Sequence, residues 1–190
     1  MTSEFLDHKK TALIVIDLQK GIVSMPTKPY ETREVVRNAA SLARKFREKS
    51  MPVFLVHVYS DVDTSLHPLN DSGQMRRGDM PEDWHEFVPE LERSGNDVII
   101  TKKQWGAFYG TDLDLQLRRR KIETIVLCGI ATKYGVESTA RFAYEYGYQQ
   151  VFPEDAMSDL SEESHRDSVE YVFKRIGRVR KTEEILKWIQ

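Results

Sequence analysis

The sequence predicts a doubly wound α/β domain, in which a six-stranded parallel sheet carries helices on both faces. Two observations lead to this fold class. Several short runs are apolar throughout and rich in β-branched residues, which is typical of strands buried on both faces of a sheet. Segments with apolar residues at helical spacing separate these runs, as expected when helices connect parallel strands. The result is a three-layer arrangement of the Rossmann type.

Each strand is predicted from its own apolar run. The first, TALIVID at 11–17, contains five consecutive apolar residues, and ETIVLCG at 123–129 has the clearest strand pattern. The six predicted strands are 11–17, 52–59, 96–101, 123–129, 149–152 and 178–180.

The helices are predicted from the spacing of apolar residues between the strands. Such residues repeat at helical spacing from Val35 to Phe46, and Gly147 closes the helix that follows the fourth predicted strand. On that helix Glu137 and Arg141 are four residues apart and are expected to form a surface ion pair. The predicted helices are 31–49, 112–120, 136–146, 161–175 and 182–188.

No repeat, low-complexity segment or linker divides the 190 residues, so one domain is predicted over residues 1–190. Residues 60–95 depart from the regular pattern, because they are rich in Pro, Asp, Gly and His and show weak periodicity. A connection of this length commonly forms a lid or an oligomer contact.

Composition argues against several classes of function. The chain is 40% hydrophobic and 31% charged, and its formal charge of −2 provides no general attraction for nucleic acid or anionic lipid. The apolar run 12–16 is too short to cross a bilayer, and the polar N-terminus does not resemble a secretory signal. One cysteine, Cys128, excludes an intramolecular disulfide and fits a reducing compartment. We therefore predict a soluble cytoplasmic protein without nucleic acid or membrane partners.

Three chemical features meet at one edge of the predicted sheet, where open α/β sheets bind their ligands. Asp17 ends the first strand, Lys102 follows the third, and a turn from Gly129 to Gly135 follows the fourth. The helix N-terminus after this turn suits a developing negative charge. Asp17 is either a turn carboxylate or an acid–base group. Lys102 is either its charge partner or a solvated lysine beside Lys103.

Aromatic residues follow the lysines in QWGAFYG, residues 104–110. Trp105 and Phe108 are candidates for the wall of a substrate pocket, although packing against the core explains them equally well. Cys128 is the only thiol, but it lies inside an apolar strand, where cysteine is usually inert.

A metal site is not predicted. His57, Asp61, His67 and His85 supply possible ligands, but their spacing matches no familiar ligand set. No cofactor is predicted either.

Four segments together resemble the isochorismatase-like cysteine hydrolases. They are ALIVIDLQ (12–19), KKQWGAFYGTDLD (102–114), GIATKYGVESTARFA (129–143) and VFPEDAMSD (151–159), in the order in which the family has them. The resemblance runs from about Thr11 to Asp159. It implies a hydrolase that acts on a small-molecule substrate and has a six-stranded parallel sheet, usually assembled as a homodimer or a larger homo-oligomer.

The resemblance also implies the positions of the site residues. Asp17 matches the family's aspartate, Lys102 matches its lysine with Lys103 as a one-residue alternative, and Gly135 stands where the nucleophilic cysteine is expected. A cis peptide bond is implied between Ile130 and Ala131. The residues expected to bind the substrate are Trp105, Phe108, Ile130, Ala131 and Tyr134.

Gly135 has no sulfur, so covalent catalysis through a thiol is excluded at that position. Isochorismatases resemble this chain in having a non-nucleophilic residue at the position of Gly135, and they cleave a vinyl ether. On this hypothesis Asp17 is the general acid, and Lys102 orients it or binds the substrate. Residues 60–95 lack both the substrate contacts of isochorismatases and the metal site of nicotinamidases. The alternatives are an amidohydrolase that activates water, and a binding or regulatory protein that retains the pocket.

Overall fold

The structure, a computed structural model, describes residues 5–59, 66, 68–71 and 81–189. The strands are Thr11–Ile16 (β1), Val53–Val58 (β2), Val98–Lys102 (β3), Thr124–Ile130 (β4), Gln149–Pro153 (β5), Met157–Ser158 (β6) and Arg178–Arg180 (β7). The α-helices are Lys20–Val23 (α1), Thr32–Glu48 (α2), Leu113–Arg119 (α3), Glu137–Glu145 (α4), Glu162–Asp167 (α5), Lys174–Ile176 (α6) and Thr182–Trp188 (α7). Thr132–Val136 and Ser168–Phe173 are π-helical.

The sheet is parallel throughout, which confirms the predicted fold class. Its main path has the order β3-β2-β1-β4-β5-β7, and β6 pairs with β4 outside this path. In the register, Ile16 of β1 lies opposite Val56 of β2 and Gly129 of β4. The strand order reverses between β1 and β4, and such a switch point is where ligands bind in doubly wound folds.

Alternate residues of a buried strand point to opposite faces of the sheet, so each face has its own apolar surface. A layer of helices covers each of these two faces. Leu13 and Val15 of β1 belong to the core cluster that includes residues of α2 and α7. Ile14 and Ile16 belong to the cluster that includes residues of α3 and α4. A strand buried on both sides must be apolar at every position, and this accounts for the uninterrupted run in β1.

The short strand β6 and two local helical features were not predicted. Strand β5 pairs with β4 only as far as Val126, and β6 pairs with Gly129 and Ile130, nearer the carboxyl end of β4. The helix predicted from 161 to 175 contains a π-helical stretch, and the short helix α1 follows β1 closely. Of the predicted 60–95 connection, residues 66, 68–71 and 81–95 are described, and they include a 3₁₀ turn at Pro89–Leu91.

No helix among the described residues is both long enough and apolar enough to cross a membrane.

Candidate active site

Asp17 and Lys102 form a buried ion pair at the carboxyl edge of the sheet. The Lys102 Nζ lies 2.8 Å from Asp17 Oδ2, and the two side chains are 2% and 7% exposed. Asp17 directly follows β1 with a φ of 53°, a left-handed conformation that aspartate adopts more readily than most residues. Lys102 is the last residue of β3, so its side chain reaches across β2 to the pair. Lys103, the neighbouring alternative, is exposed.

The two oxygens of the Asp17 carboxyl group differ in their surroundings. Oδ2 receives the Lys102 ammonium group, whereas Oδ1 is buried and has no hydrogen-bond partner in the part of the chain that the structure describes. Burial raises the pKa of Asp17, and the charge and hydrogen bond of Lys102, with a smaller contribution from the Val58 backbone, oppose this shift without reversing it. Burial therefore favours the protonated form of this carboxyl group relative to an exposed aspartate.

The raised pKa of Asp17 predicts how stability depends on pH. The unfolded pKa is about 3.9, so the folded state binds this proton more tightly than the unfolded state does. The stabilisation is therefore complete below about pH 4 and is lost as the pH rises through the higher folded pKa. We expect the free energy of unfolding of the wild type, relative to Asp17→Asn, to decrease as the pH rises above about 4. Urea titrations at several pH values measure this difference, and a constant difference would contradict the prediction.

The turn after β4 brings backbone against the Asp17 carboxyl group. The Ile130–Ala131 peptide bond is cis, and residues 131–136, called here the β4–α4 turn, include the π-helical segment Thr132–Val136. A Cβ atom added at Gly135 would lie 3.0 Å from Asp17 Oδ2 and 3.0 Å from Ile16 Cγ2. The absence of a side chain at Gly135 therefore lets the turn approach the carboxyl group closely.

The residues predicted to bind substrate fall into two groups. The rings of Trp105 and Tyr134 are 5.0 Å apart and nearly perpendicular, and both are largely accessible. The Trp105 carbonyl oxygen would lie 3.6 Å from a Cβ atom at Gly135, so this tryptophan borders the turn.

The remaining predicted contacts are covered by protein. Phe108 is buried against the rings of Tyr146 and Tyr148, at centroid distances of 5.3 and 6.0 Å. Ile130 is buried in the core on the α2 side of the sheet, and Ala131 packs against that cluster. The side chains of Phe108 and Ile130 are thus core side chains, because the strand and the aromatic residues around them exclude solvent.

Sequence reasoning missed polar and aromatic groups beside the pair. Gln19 is fully buried, and its amide accepts from Val58 N (2.8 Å) and donates to Val58 O (3.1 Å). Its position two residues after Asp17 was the available signal. The rings of Tyr59 and His85 are 4.5 Å apart just beyond β2, and no local sequence pattern links them.

Of the described residues considered as metal ligands, His57 is hydrogen-bonded through both ring nitrogens, whereas His85 Nδ1 is buried and has no hydrogen-bond partner among the described residues. His57 Nδ1 is 2.9 Å from the His85 carbonyl oxygen, and Nε2 is 2.8 Å from Thr101 Oγ1. Asp61 and His67 lie outside the described residues. Within the described ranges, no three His, Cys, Asp or Glu side chains group as metal ligands would.

Cys128 is fully buried within β4, and burial raises the pKa of its thiol. We expect the folded protein to show no thiol that reacts with Ellman's reagent within minutes, because reaction requires an exposed thiolate. One thiol per chain should react after unfolding in guanidinium chloride, since the sequence contains one cysteine. Rapid reaction of the folded protein would show that Cys128 is accessible, and Cys128 would then be a candidate nucleophile.

Comparison with known proteins identifies the family. The family model described as "Isochorismatase domain" matches residues 11–184. The isochorismatase family protein YwoC of Bacillus subtilis is 51% identical over 187 residues, which cover 97% of each chain. A solved isochorismatase family protein from Burkholderia thailandensis superimposes with a TM-score of 0.91 at 41% identity, again over 97% of each chain.

A more distant relative has a name that states an activity. It is the "Probable isochorismatase" of Pseudomonas chlororaphis, 28% identical over 182 residues that cover 95% of this chain and 87% of the relative. The family model and the two high-identity relatives cover nearly the whole of the chain. The protein belongs to the isochorismatase family and is a hydrolase.

Proposed function

We propose that the protein hydrolyses a vinyl ether of the isochorismate type without forming a covalent intermediate. The observation that carries the proposal is the Asp17 carboxyl group, which is buried, bound by Lys102 on one oxygen only, and without a partner on the other among the described residues. Gly135 beside it provides no nucleophile. The site therefore offers a proton and lacks a group that could form an acyl-enzyme.

The reaction begins with proton transfer from Asp17 Oδ1 to the terminal methylene carbon of the vinyl ether. This leaves a positive charge shared between the ether oxygen and the adjacent carbon. Water adds to that carbon and loses a proton to the Asp17 carboxylate, which gives a hemiketal and restores the acid. As the hemiketal collapses, its hydroxyl proton is lost, the bond between that carbon and the ether oxygen breaks, and the ether oxygen takes up a proton. The products are pyruvate and a diol.

Lys102 supports this step by stabilising the carboxylate that remains after Asp17 has given up its proton. Its Nζ is already 2.8 Å from Oδ2, so the developing negative charge meets a fixed positive charge without reorganisation. Burial favours the protonated form of the resting carboxyl group, and Lys102 lowers the free energy of its ionised form.

The raised pKa of Asp17 also favours an acid over a base. An amidohydrolase that activated water at this carboxyl group would need the ionised form, which burial disfavours. Trp105 and Tyr134 are the accessible aromatic residues at the turn and would contact the ring of the substrate.

The test is turnover of isochorismate by the purified protein, followed as pyruvate release with lactate dehydrogenase and compared with an enzyme-free blank. Pyruvate formed in proportion to protein supports the proposal. Hydrolysis of amides without pyruvate release would favour the amidohydrolase alternative. Saturable binding of isochorismate without turnover would favour a binding or regulatory protein.

We also propose that the protein acts in the cytoplasm as a homodimer or a larger homo-oligomer. The side chains of Trp105, Tyr109 and Phe142 are exposed and line one open groove of about 380 Å³. Contiguous exposed aromatic residues are typical of protein–protein contact surfaces. Light scattering should give at least twice the chain mass of 22.1 kDa, and a monomer mass would contradict the assembly.

A further inference from the structure

Residues 159–168, called here the anchoring segment, are hydrogen-bonded to the β4–α4 turn before Gly135 and to the first residue of α4 after it. The first contact is made by Asp159, which is almost fully buried. Its Oδ2 accepts from the backbone N–H of Lys133 at 2.6 Å, and its Oδ1 accepts from Leu160 N–H at 2.7 Å. The backbone of Asp159 is itself held by two hydrogen bonds to Lys28. Asp159 is therefore a fixed acceptor for the turn.

Two further contacts flank the first. Thr132 Oγ1 lies 2.9 Å from His165 Nδ1, and both side chains are buried. After Gly135, Ser168 Oγ donates to Glu137 Oε2 at 2.5 Å. The pair of Glu137 with Arg141, predicted to lie on the surface, thus has its acidic member buried and tied to the anchoring segment.

These contacts determine where the turn lies because buried polar groups are destabilising when unpaired. In the observed position of the turn, Thr132, Lys133 and the following Glu137 all have hydrogen-bond partners in the anchoring segment. Gly135 lies between these anchored residues, and its added Cβ atom would be 3.0 Å from Asp17 Oδ2. A shift of the turn would therefore open a gap beside the carboxyl group.

We propose that Asp159 and His165 are positioning residues that hold the β4–α4 turn against the Asp17 carboxyl group and so keep water away from it. Neither residue is a hydrogen-bond partner of Asp17 in the described part of the chain, so they act through the turn. The consequence for catalysis rests on the proposed function, whereas the exclusion of water from Asp17 does not.

The test compares Thr132→Val, which removes the hydroxyl group at nearly constant shape, with Thr132→Ser, which keeps it. Carbon-13 NMR follows the titration of the Asp17 carboxyl group, assigned with Asp17→Asn. We expect Thr132→Val to lower the titration midpoint of Asp17, because water then reaches the carboxylate. We also expect kcat for pyruvate release to fall about tenfold with KM nearly unchanged. Thr132→Ser should stay close to the wild type in both measurements.

Ser161→Ala is the matched control. Ser161 caps α5 by accepting from Ser164 N–H at 3.1 Å, so its loss weakens the anchoring segment without removing a bond to the turn. The Ser161→Ala variant should have a lower melting temperature than the wild type and an unchanged titration midpoint for Asp17. Asp159→Asn, which loses one of two carboxylate acceptors, is a second variant and should lower the Asp17 midpoint as well.

The outcomes separate the two proposals. A wild type that releases no pyruvate would refute the proposed function, and the Asp17 titration would still decide the role of the anchoring segment. An Asp17 midpoint that is unchanged in both folded Thr132→Val and folded Asp159→Asn would overturn the positioning role. An equal shift in Ser161→Ala would overturn it too, because general loosening of the segment would then be the cause.

Discussion

Replacing Asp17 with asparagine is expected to abolish pyruvate release, with a loss of about 10²–10⁴-fold, the range of general acid catalysis. Asparagine has almost the same shape, and its amide oxygen can still accept from Lys102. It has no acidic proton to deliver to carbon. The fold should therefore remain while turnover is lost, which circular dichroism and the coupled pyruvate assay measure together.

The matched control is Asp97→Asn, because Asp97 is also a buried aspartate in an ion pair. It lies 2.8 Å from Arg47 with its side chain 2% exposed, and it precedes β3, at the opposite edge of the sheet from Asp17. We expect this variant to be less stable than the wild type but active. Retention of a substantial fraction of activity by Asp17→Asn, under conditions where both variants are folded, would remove Asp17 from the role of acid.

Replacing Gly129 with alanine is expected to prevent folding or to destabilise the protein by more than about 4 kcal/mol. Gly129 has a φ of 127°, and an added Cβ atom would lie 2.0 Å from the Ile16 carbonyl oxygen. Ile16 cannot move away, because β1 is paired with β2 on one side and β4 on the other. Backbone strain and a severe clash therefore act together, and urea unfolding measures their sum.

Two other glycines separate these contributions. Gly110 has a φ of 68° with nothing within 4 Å of an added Cβ atom, so Gly110→Ala should cost about 1–2 kcal/mol through backbone conformation alone. A Cβ atom added at Gly95 would also have no other atom within 4 Å, and the φ of Gly95 lies outside the left-handed region. Gly95→Ala should therefore leave the free energy of unfolding nearly unchanged. Equal stability of Gly129→Ala and Gly95→Ala would contradict the close approach of β4 to β1.

The sheet and the presence of Asp17 and Lys102 at one of its edges could be predicted because both depend on patterns that are local in sequence. A strand buried on two faces needs an uninterrupted apolar run, and parallel strands bring their carboxyl ends to one edge. Asp17 and Lys102 could therefore be placed at the same edge from strand direction. Whether the Lys102 side chain reaches Asp17 across β2 depends on the length and rotamer of the lysine. The sequence pattern does not specify that rotamer.

Other features depend on contacts between residues that are distant in sequence. The burial of Phe108 depends on Tyr146 and Tyr148 of a later segment, so its own loop pattern fits a pocket wall and a core residue equally well. The anchoring of Thr132 by His165 joins two residues whose local patterns give no reason to pair them. Strand β6 is only two residues long, and its pairing with β4 gives no recognisable periodicity.

The reach of Lys102 across β2 also makes the ion pair a marker for the order of assembly. β1, β2 and β3 must all be in register before Nζ can meet the Asp17 carboxyl group, and the edge strand β3 is paired only with β2 among the described strands. Recovery of the ion pair during refolding therefore requires the docking of the edge strand β3, a step that helix content measured by spectroscopy would not detect.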